Sequence, residues 1–389
     1  MKFIKILIFI AAVFSCLFAF MSMAFAQTWM ASTNAPNKEW WSVASSADGT
    51  RLVSVVYGGG IYTSTNSGAN WSSNSVPTKN WYSVASSADG TKLAAVTYGS
   101  GAGIWTNSGA TWALTGAPTG TFQNYISIAS STNGTKLVVA GANNPTRHIY
   151  TSTDSGTTWT TTIAPNLSWY SAASSSDGTK LVALAWQTNA VYTSADSGTT
   201  WVSNTIPNDM WYSVASSGDG TKLVAVAQQS GLICISTNSG TTWFSNSVPK
   251  QPWRSVASSL DGSKLVAVGP SAIYTSADSG QTWISNNVPN YYWSSVASSA
   301  DGSRLVVVAA TGQIYTAQPT SPLLVLTNSG TNIILSWPAT ATGFQLQQNY
   351  SFTTTDWTTI TNSASIANGL NQVIVSVTNS QIFYRLKSQ

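Results

Sequence analysis

The stretch WYSVASSADGTKL, residues 81–93, recurs along most of the chain and decides its fold. Aligned on the first serine of this stretch, the copies follow one another every 40 to 44 residues, at Ser42, Ser83, Ser127, Ser171, Ser213, Ser255 and Ser295. A period near 40 residues, built of short alternating segments, is typical of a four-stranded propeller blade. The sequence therefore predicts an all-β protein whose main part is a seven-bladed β-propeller.

One repeat, residues 211–249, shows how four strands follow one another. The alternating segments WYSVASS and KLVAVAQ flank an Asp-Gly pair, which is a strong hairpin signal. LICIST is the third strand, and TWFSNSVP is the fourth, ending at a proline that cannot donate to a sheet ladder. The last repeat lacks a fourth strand, whereas QTWMASTNAP, residues 27–36, fits its pattern. We therefore expect the N-terminal strand to complete the last blade and close the ring.

A second motif, TSTDSGTTW at residues 151–159, joins the third and fourth strands. Its Asp or Asn can accept hydrogen bonds from turn amides, and its glycine takes a conformation that other residues resist. The motif resembles the Asp-box (BNR) turn, with copies at Asn66, Asn107, Asp154, Asp196, Asn238 and Asp278. The repeat region is similar to the sialidase-like and photosystem II assembly-factor-like propellers, and most similar to their non-enzymatic type. The resemblance implies that these turns are structural and lie at the outer rim.

A third recurring feature is an Asp-Gly or Asn-Gly turn followed by Lys or Arg. We interpret it as a set of solvated hairpins with local charge pairs, each worth under about 1 kcal/mol. The acidic or amide positions are Asp48, Asp89, Asn133, Asp177, Asp219, Asp261 and Asp301. The basic positions are Arg51, Lys92, Lys136, Lys180, Lys222, Lys264 and Arg304.

The first 26 residues have the features of a secretory signal peptide. Two lysines precede an apolar run that ends in AFA, residues 24–26, which predicts cleavage before Gln27. We expect a secreted or outer-envelope protein, with the periplasm as an alternative, and no membrane span after cleavage, since no later apolar run approaches about 20 residues. Cys234 is then the only mature cysteine, so an intramolecular disulfide is impossible, and we predict a small buried side chain.

The repeat ends near residue 320, and a different set of short strands follows. The segments NIILSWPA, GFQLQQN, NQVIVSV and IFYRLK alternate or run apolar between turn signals. They resemble the fibronectin-III-like or immunoglobulin-like C-terminal module of secreted proteins from Verrucomicrobia-type bacteria, which implies a small β-sandwich with an accessory role. The predicted organisation is a signal peptide at 1–26, a propeller at 27–320 and a sandwich at 321–389.

Composition excludes several classes of function. Charged residues make up 7% of the chain, against about 25% in ordinary soluble domains, and the net charge of +4 includes two lysines of the signal segment. This charge gives no basis for nucleic-acid binding. A single histidine, His148, allows neither a histidine triad nor a multi-histidine metal site. We expect a monomer without metal or cofactor.

The carboxylates set a limit on enzymatic hypotheses. A sialidase needs an arginine cluster and a tyrosine nucleophile with a glutamate beside it, but the chain has one glutamate, Glu39. Outside the repeat turns and the C-terminal module, only Glu39 and Asp209 remain, both just before a first strand. A glycosidase needs two carboxyl groups about 5 to 10 Å apart across the bond to be cut. A glycoside hydrolase using Glu39 and Asp209 is therefore the alternative hypothesis.

The main hypothesis is a binding or scaffold protein whose ligand is a glycan or an envelope protein. Aromatic faces stack on sugar rings, and aromatic residues open the innermost strands at Trp40, Trp81, Tyr125, Trp169, Trp211, Trp253 and Trp293. Packing between blades is the competing interpretation of this ring. The next position is often aromatic too, at Trp41, Tyr82, Tyr170 and Tyr212. Arg254 and Arg147 depart from the repeat, and specific ligand recognition is expected there.

Overall fold

The structure is a computed structural model, and it describes residues 27–109, 111–117, 124–142, 147–186, 188–246, 248, 250–319, 324–329, 332–339, 344–350, 356–362, 364–376 and 382–388. The predicted signal peptide at 1–26 lies outside the described residues. The chain divides into two compact units, one up to Gln318 and one from Pro319. All regular elements in the described ranges are β-strands.

The first unit is a ring of four-stranded sheets. It begins with β1 (Gln27–Ala31) and continues with blade 1, which comprises β2 (Trp40–Ser45), β3 (Leu52–Val56), β4 (Ile61–Ser64) and β5 (Ser72–Ser73). Blades 2 and 3 comprise β6 (Trp81–Ser86), β7 (Lys92–Thr97), β8 (Ile104–Ser108), β9 (Trp112–Leu114), β10 (Tyr125–Ser130), β11 (Leu137–Gly141), β12 (Ile149–Ser152) and β13 (Thr160–Thr161).

The remaining blades follow the same order. Blades 4 and 5 comprise β14 (Trp169–Ser174), β15 (Leu181–Ala185), β16 (Thr188–Ser194), β17 (Val202–Asp209), β18 (Trp211–Ser216), β19 (Leu223–Ala227), β20 (Ile233–Ser236) and β21 (Phe244–Ser245). Blades 6 and 7 comprise β22 (Ser255–Ser258), β23 (Leu265–Gly269), β24 (Ala272–Ser276), β25 (Ile284–Ser285), β26 (Trp293–Ser298), β27 (Leu305–Ala309) and β28 (Ile314–Pro319).

Blade 7 is completed by the N-terminal strand, which confirms the predicted closure. The strand order of its sheet is β1-β28-β27-β26, and the Ser32 N–H donates to the Ile314 carbonyl over 2.8 Å. The same segment bonds to blade 1, because the Trp71 indole donates to the Ser32 hydroxyl over 3.2 Å. Closure therefore joins the two ends of the ring and removes two exposed strand edges.

Neighbouring blades are tied together by the serine on which the repeats align. In the inner strand of each blade, its hydroxyl accepts an N–H from the inner strand of the next blade. Ser171 accepts from Val214 over 3.1 Å, and Ser295 of blade 7 accepts from Val43 of blade 1 over 3.2 Å. The second strands supply the apolar core, and in β15 every residue is at most 5% exposed.

We call the end of the ring where the inner strands begin the upper face, and the opposite end the lower face. On the lower face, backbone hydrogen bonds run from blade to blade in a closed circle. The Ala47 N–H donates to the Ala88 carbonyl over 2.7 Å, and the circle ends where the Ala300 N–H donates to the Ala47 carbonyl over 2.7 Å. The lower face thus carries one backbone hydrogen bond between each blade and the next.

The Asp-Gly turns of the lower face are not the isolated hairpins that we expected. A Cβ added to Gly178 would lie 2.7 Å from the Lys136 side chain of the preceding blade, and the Lys136 ammonium donates to the Ser197 hydroxyl over 3.1 Å. Lys222 reaches Ser279 in the same way over 3.2 Å. The lysine stems therefore pack under the next blade, which corrects the local-pair interpretation.

The Asp-Ser-Gly turns hold their shape through the acidic side chain and two left-handed residues. In blade 3 the Thr158 N–H donates to Asp154 over 2.9 Å, while Ser155 and Gly156 have φ of 60° and 89°. Blade 2 differs, since its turn is shorter and Asn107 instead accepts the Gly109 N–H over 2.9 Å. The turn chemistry predicted from the sequence therefore holds in blade 3 but changes at Asn107.

The second unit is a small β-sandwich, as predicted. One sheet has the order β29-β30-β34-β33 and the other β32-β31-β35. Leu335, Trp337, Leu346 and Val373 form its core. The strands are β29 (Val325–Ser329), β30 (Asn332–Pro338), β31 (Phe344–Asn349), β32 (Thr358–Thr359), β33 (Ser365–Ala367), β34 (Leu370–Ser376) and β35 (Phe383–Ser388).

Candidate ligand-binding site on the upper face

The predicted aromatic ring lies in the core between neighbouring blades. Its members are all 0% exposed, namely Trp40, Trp81, Tyr125, Trp169, Trp211, Trp253 and Trp293. Trp40 of blade 1, for example, shares a buried cluster with Val306 and Val308 of blade 7, and its ring centroid lies 5.1 Å from that of Tyr62 in its own blade. A side chain with no exposed surface has no face to offer a ligand. The structure therefore assigns this ring to packing between blades, which corrects the binding hypothesis for these positions.

The position after the ring residue has a different environment, because in six of the described blades, all except blade 6, the inner strand carries a β-bulge there. The pairing register shifts between Trp40 and Ser42, so Trp41 is the extra, unpaired residue. The same shift leaves out Tyr82, Tyr170 and Tyr212. A bulge interrupts the ladder and redirects a side chain. These aromatic side chains are half-buried, and they gather at the upper end of the central axis.

The bulge residues and their neighbours form one continuous cluster, which we call the aromatic arc. It comprises Trp41, Tyr57, Tyr82, Tyr98, Tyr170, Trp186, Tyr212 and Tyr292. Within blades 1 and 2, ring centroids are 5.1 Å apart for Trp41 and Tyr57, and 5.4 Å apart for the stacked Tyr82 and Tyr98. Between those blades the Trp41 and Tyr82 centroids are 5.3 Å apart.

The arc passes blade 3 on the axial side of the ring. The hydroxyls of Tyr82 in blade 2 and Tyr170 in blade 4 lie 3.3 Å apart, although blade 3 stands between them on the perimeter. Tyr170 then contacts Trp186 at 4.8 Å and Tyr212 at 4.7 Å between ring centroids. Only side chains directed into the axial opening can meet in this way. The arc therefore covers the mouth of the central channel.

Arg254 is a charged residue that lies between two members of the arc, Tyr212 and Tyr292. Its Cζ atom lies 5.0 Å from the ring centroids of both Tyr212 and Tyr292, within cation–π range. Its guanidinium donates to the Tyr212 hydroxyl over 2.8 Å and also to the Tyr292 hydroxyl. The flat guanidinium is thus held in a fixed orientation between two aromatic side chains.

Two tyrosine hydroxyls of the arc, those of Tyr82 and Tyr170, stay protonated at physiological pH. Burial raises the pKa of Tyr82, and Coulomb repulsion from Tyr212 raises it further. Burial likewise raises the pKa of Tyr170, and Coulomb interactions with Tyr212 and Tyr82 add to it. A neutral phenol can both donate and accept a hydrogen bond. The arc therefore combines apolar faces with hydroxyls suited to a polar ligand.

Sequence reasoning missed four members of the arc: Tyr57, Tyr98, Trp186 and Tyr292. The first three directly follow the second strand of their blades, at a position occupied by alanine or another non-aromatic residue elsewhere. Tyr292 comes just before the ring residue of blade 7. The available signal was that aromatic residues depart from the repeat at the ends of second strands, on the same face as the bulge residues.

Glu39 and Asp209 do not form an evident catalytic pair. Glu39 is exposed at the start of blade 1, whereas Asp209 is 6% exposed at the end of blade 4. The Asp209 carboxylate accepts the Met210 N–H over 2.7 Å, the Ser230 N–H over 3.3 Å and also the Ser230 hydroxyl. These bonds tie the end of blade 4 to a turn of blade 5. They give Asp209 a structural task and weigh against an acid or base role.

Three other residues singled out in the sequence, Arg147, His148 and Cys234, lie outside the arc. Arg147 is exposed on the upper face before β12, while His148 beside it is half-buried. Cys234 is fully buried, and burial, with a smaller Coulomb effect from Asp209, raises the pKa of its thiol to about 12. In the ranges that the structure describes, no group of three or more metal-ligating side chains comes together.

A cavity of about 190 Å³ lies away from the arc, between blades 4 and 5 on the lower side. Its lining includes Leu181, Val202 and Leu223, together with Lys180. The Lys180 ammonium donates to the Ser239 hydroxyl of the next blade over 3.4 Å. The cavity belongs to the inter-blade packing of the lower face.

Comparison with known proteins supports the fold. No family model matches the chain, and the comparison with curated proteins gives no match. Among solved structures, YCF48 from Cyanidioschyzon merolae matches with a TM-score of 0.60 and 13% identity, covering 75% of this chain and 98% of that one. The Cps50 (Swd1) β-propeller domain of Myceliophteria thermophila matches with a TM-score of 0.60 and 13% identity, covering 75% and 100%.

A third similar structure is that of YCF48 bound to a D1 peptide. It has a TM-score of 0.58 and 15% identity, and the match covers 75% of this chain and 97% of that one. At such identities the likeness shows the fold alone. The β-propeller predicted from the repeat is thereby confirmed.

No membrane-crossing helix is present in the described part of the chain, since no helix there has the necessary length and apolar character.

Proposed function

We propose that the protein is a binding or scaffold propeller that takes a glycan or protein ligand on the aromatic arc. The observation that carries this proposal is the set of β-bulges that direct half-buried aromatic side chains to the channel mouth. The repeat alone does not require aromatic residues there, because Ile126 and Ser294 occupy the same position in blades 3 and 7. Aromatic side chains with neutral hydroxyls suit sugar rings and polar peptide groups.

Binding is better supported than hydrolysis. The alternative function required Glu39 and Asp209 to face one glycosidic bond. The buried Asp209 carboxylate is instead occupied by donors from Met210 and Ser230. One similar structure is that of YCF48 bound to a D1 peptide, which supports binding as a use of this fold.

The finer family assignment is part of the proposal. The Asp154 turn, with its acceptor side chain and left-handed Ser155 and Gly156, supports an Asp-box type of propeller. The second unit has four strands in one sheet and three in the other. That order corresponds to the A-B-E-D sheet of an immunoglobulin-like sandwich facing a C-containing sheet. We assign it to the fibronectin-III or immunoglobulin-like class.

We also propose secretion to the cell exterior or outer envelope, which the signal-like segment 1–26 supports. N-terminal sequencing of the protein purified from culture medium and from cell fractions tests it. The expected first residue is Gln27, and an unprocessed Met1 in the cytoplasm would contradict the proposal.

The binding function is tested with the chain from Gln27 to Gln389 on arrays of polysaccharides and peptides. A Trp186→Ser, Tyr98→Ser variant removes two arc side chains, whereas Phe244→Ser removes an aromatic side chain that is 62% exposed on an outer strand. We expect the arc variant to lose binding and Phe244→Ser to keep it. Equal loss in both variants, or unchanged binding in the arc variant, would place the ligand elsewhere. Absence of any wild-type ligand would remove the binding proposal.

A further inference from the structure

The guanidinium of Arg254 has a fixed orientation but no acidic partner. Its contacts within the described residues are with the Tyr212 and Tyr292 side chains, and none is with a carboxylate. Its Nε is buried and has no hydrogen-bond partner among the described residues. A guanidinium offers five donors in a planar fork that matches a carboxylate in bidentate fashion. The buried Nε cannot reach a ligand, but Nη1 and Nη2 each donate one N–H to a tyrosine and keep a second, so Arg254 has two unused donors suited to an external anion.

The two faces of the propeller carry opposite net charge. Loops before the inner strands and after the second strands place five basic and two acidic residues on the upper face, namely Lys38, Lys79, Arg147, Lys250, Arg254, Glu39 and Asp209. Asp209 among these is buried and hydrogen-bonded. The turns of the lower face carry nine aspartates against seven basic residues. An anionic ligand is therefore attracted to the face that bears the arc.

The inner strands leave little room for an extended peptide to pair with them. Peptides that add to a sheet bind mainly through main-chain hydrogen bonds at a free strand edge. Here the inner edges are used between blades, as when Val214 donates to Ser171 and Val256 donates to Ser213. What the upper face offers instead is aromatic surface and positive charge. That combination favours a chain of sugar rings over a peptide strand.

We propose that the upper face binds an anionic polysaccharide whose carboxylates contact Arg254 and whose sugar rings stack on the aromatic arc. The inference rests on the proposed binding function and narrows its ligand to uronic-acid polymers. Exposed Lys38 and Lys250 add attraction along a polymer that extends beyond Arg254. Because exposed charges are screened by salt, affinity should fall as ionic strength rises.

The first test measures binding of the chain from Gln27 to Gln389 to polygalacturonate and to the same polymer after carboxyl reduction, which leaves the rings but removes the charge. The expected result is tight binding of the charged polymer and at least about tenfold weaker binding of the reduced one, in line with charge-assisted hydrogen bonds. Equal binding of both polymers would overturn the anionic inference while leaving the binding function intact.

The second test compares Arg254→Gln with Lys387→Gln, which removes one exposed charge from the second unit. We expect Arg254→Gln to weaken polygalacturonate binding about tenfold or more, and Lys387→Gln to change it less than about twofold. Arg254→Lys keeps the charge without the fork and should lie between them. Lys250→Gln provides an exposed upper-face variant in case Arg254→Gln fails to fold, and it should weaken binding at low salt.

Polyglutamate and neutral polysaccharides serve as controls. They distinguish failure of the anionic-polysaccharide inference from failure of the proposed binding function. Arg254-dependent binding of polyglutamate without binding of polygalacturonate would overturn the ligand class, because the partner would then be an acidic peptide. Binding of neutral polysaccharides through Trp186 and Tyr98, unaffected by Arg254→Gln, would overturn the inference but support the proposed function. No binding of any probe, charged or neutral, would overturn both.

Discussion

The upper and lower faces of this propeller are built from the same repeat, yet they differ in regularity. On the lower face, a backbone hydrogen bond joins each blade to the next, from Ala47 to Ala88 and onward to Ala300. On the upper face, the position after the ring residue varies from blade to blade. It is Trp41 in blade 1, Ile126 in blade 3, Arg254 in blade 6 and Ser294 in blade 7. The regular positions therefore maintain the ring, while the departures from the repeat lie together on the upper face.

The largest loss of stability is expected when a tryptophan buried between blades is removed, rather than a tryptophan of the arc. Trp211→Ala removes a fully buried side chain between blades and should lower the free energy of unfolding by about 3–5 kcal/mol. Trp186→Ala removes a half-buried member of the arc and should lower it by about 1 kcal/mol. Urea denaturation followed by circular dichroism measures both. Equal losses would mean that the arc side chains contribute as much to the free energy of unfolding as the buried ring side chains.

A smaller effect is expected at the inter-blade serines. Ser171→Ala leaves the buried Val214 N–H without its acceptor and should lower the free energy of unfolding by about 1–3 kcal/mol. Ser203→Ala, on an exposed position of an outer strand, should change it by less than about 0.5 kcal/mol. Thermal unfolding of the two variants provides the comparison. A negligible change at Ser171 would show that the serine circle does not hold the blades together.

The smallest effect concerns acid stability of the lower face. Hydrogen bonds from the Ser87 hydroxyl, and then from Thr91, hold the pKa of Asp89 at about 2, below its ordinary value of 3.8. Because the pKa is lower in the folded state, ionised Asp89 stabilises the fold above pH 4, and this contribution is lost as pH falls towards 2. Asp177 and Asp219 have the same shift from Ser175 and Ser217.

The pH prediction is checked by the unfolding midpoint of wild type and Asp89→Asn between pH 5 and 2. The equivalent turn of blade 3 already has Asn at this position, and Asn133 accepts the Thr135 N–H over 3.0 Å. We expect Asp89→Asn to fold and to lose less stability on acidification than the wild type. A steeper acid dependence in the variant would contradict the assigned cause of the pKa shift.

The sequence allowed the fold to be predicted because the blade signals are local and repeated. Alternating strands, Asp-Gly turns and the matching segment at 27–36 gave the propeller and its closure, both of which the structure confirms. Contacts between blades were harder to predict, because residues far apart in sequence meet there. The packing of the Lys136 stem under Gly178 is one such contact.

The candidate site was predicted only in part. The sequence indicated the face on which the arc lies, and it singled out Arg254 and the second aromatic positions, but it named Trp40 and its equivalents as the main ligand candidates. Simple strand alternation cannot show that a bulge at Trp41 separates it from the buried Trp40. Tyr57 and Trp186 were missed because they follow second strands, and each meets its partner in the arc across the pairing of the first and second strands of its own blade.

The most direct test of the central claim maps where a ligand protects the chain. Hydrogen–deuterium exchange of the protein from Gln27 to Gln389, with and without polygalacturonate, reports on both faces in one measurement. The account predicts slower exchange in the segments around Trp41, Tyr98, Trp186 and Arg254, with no change in the lower-face turns around Asp89 and Asp219. Protection confined to the lower face or the outer rim would contradict the account.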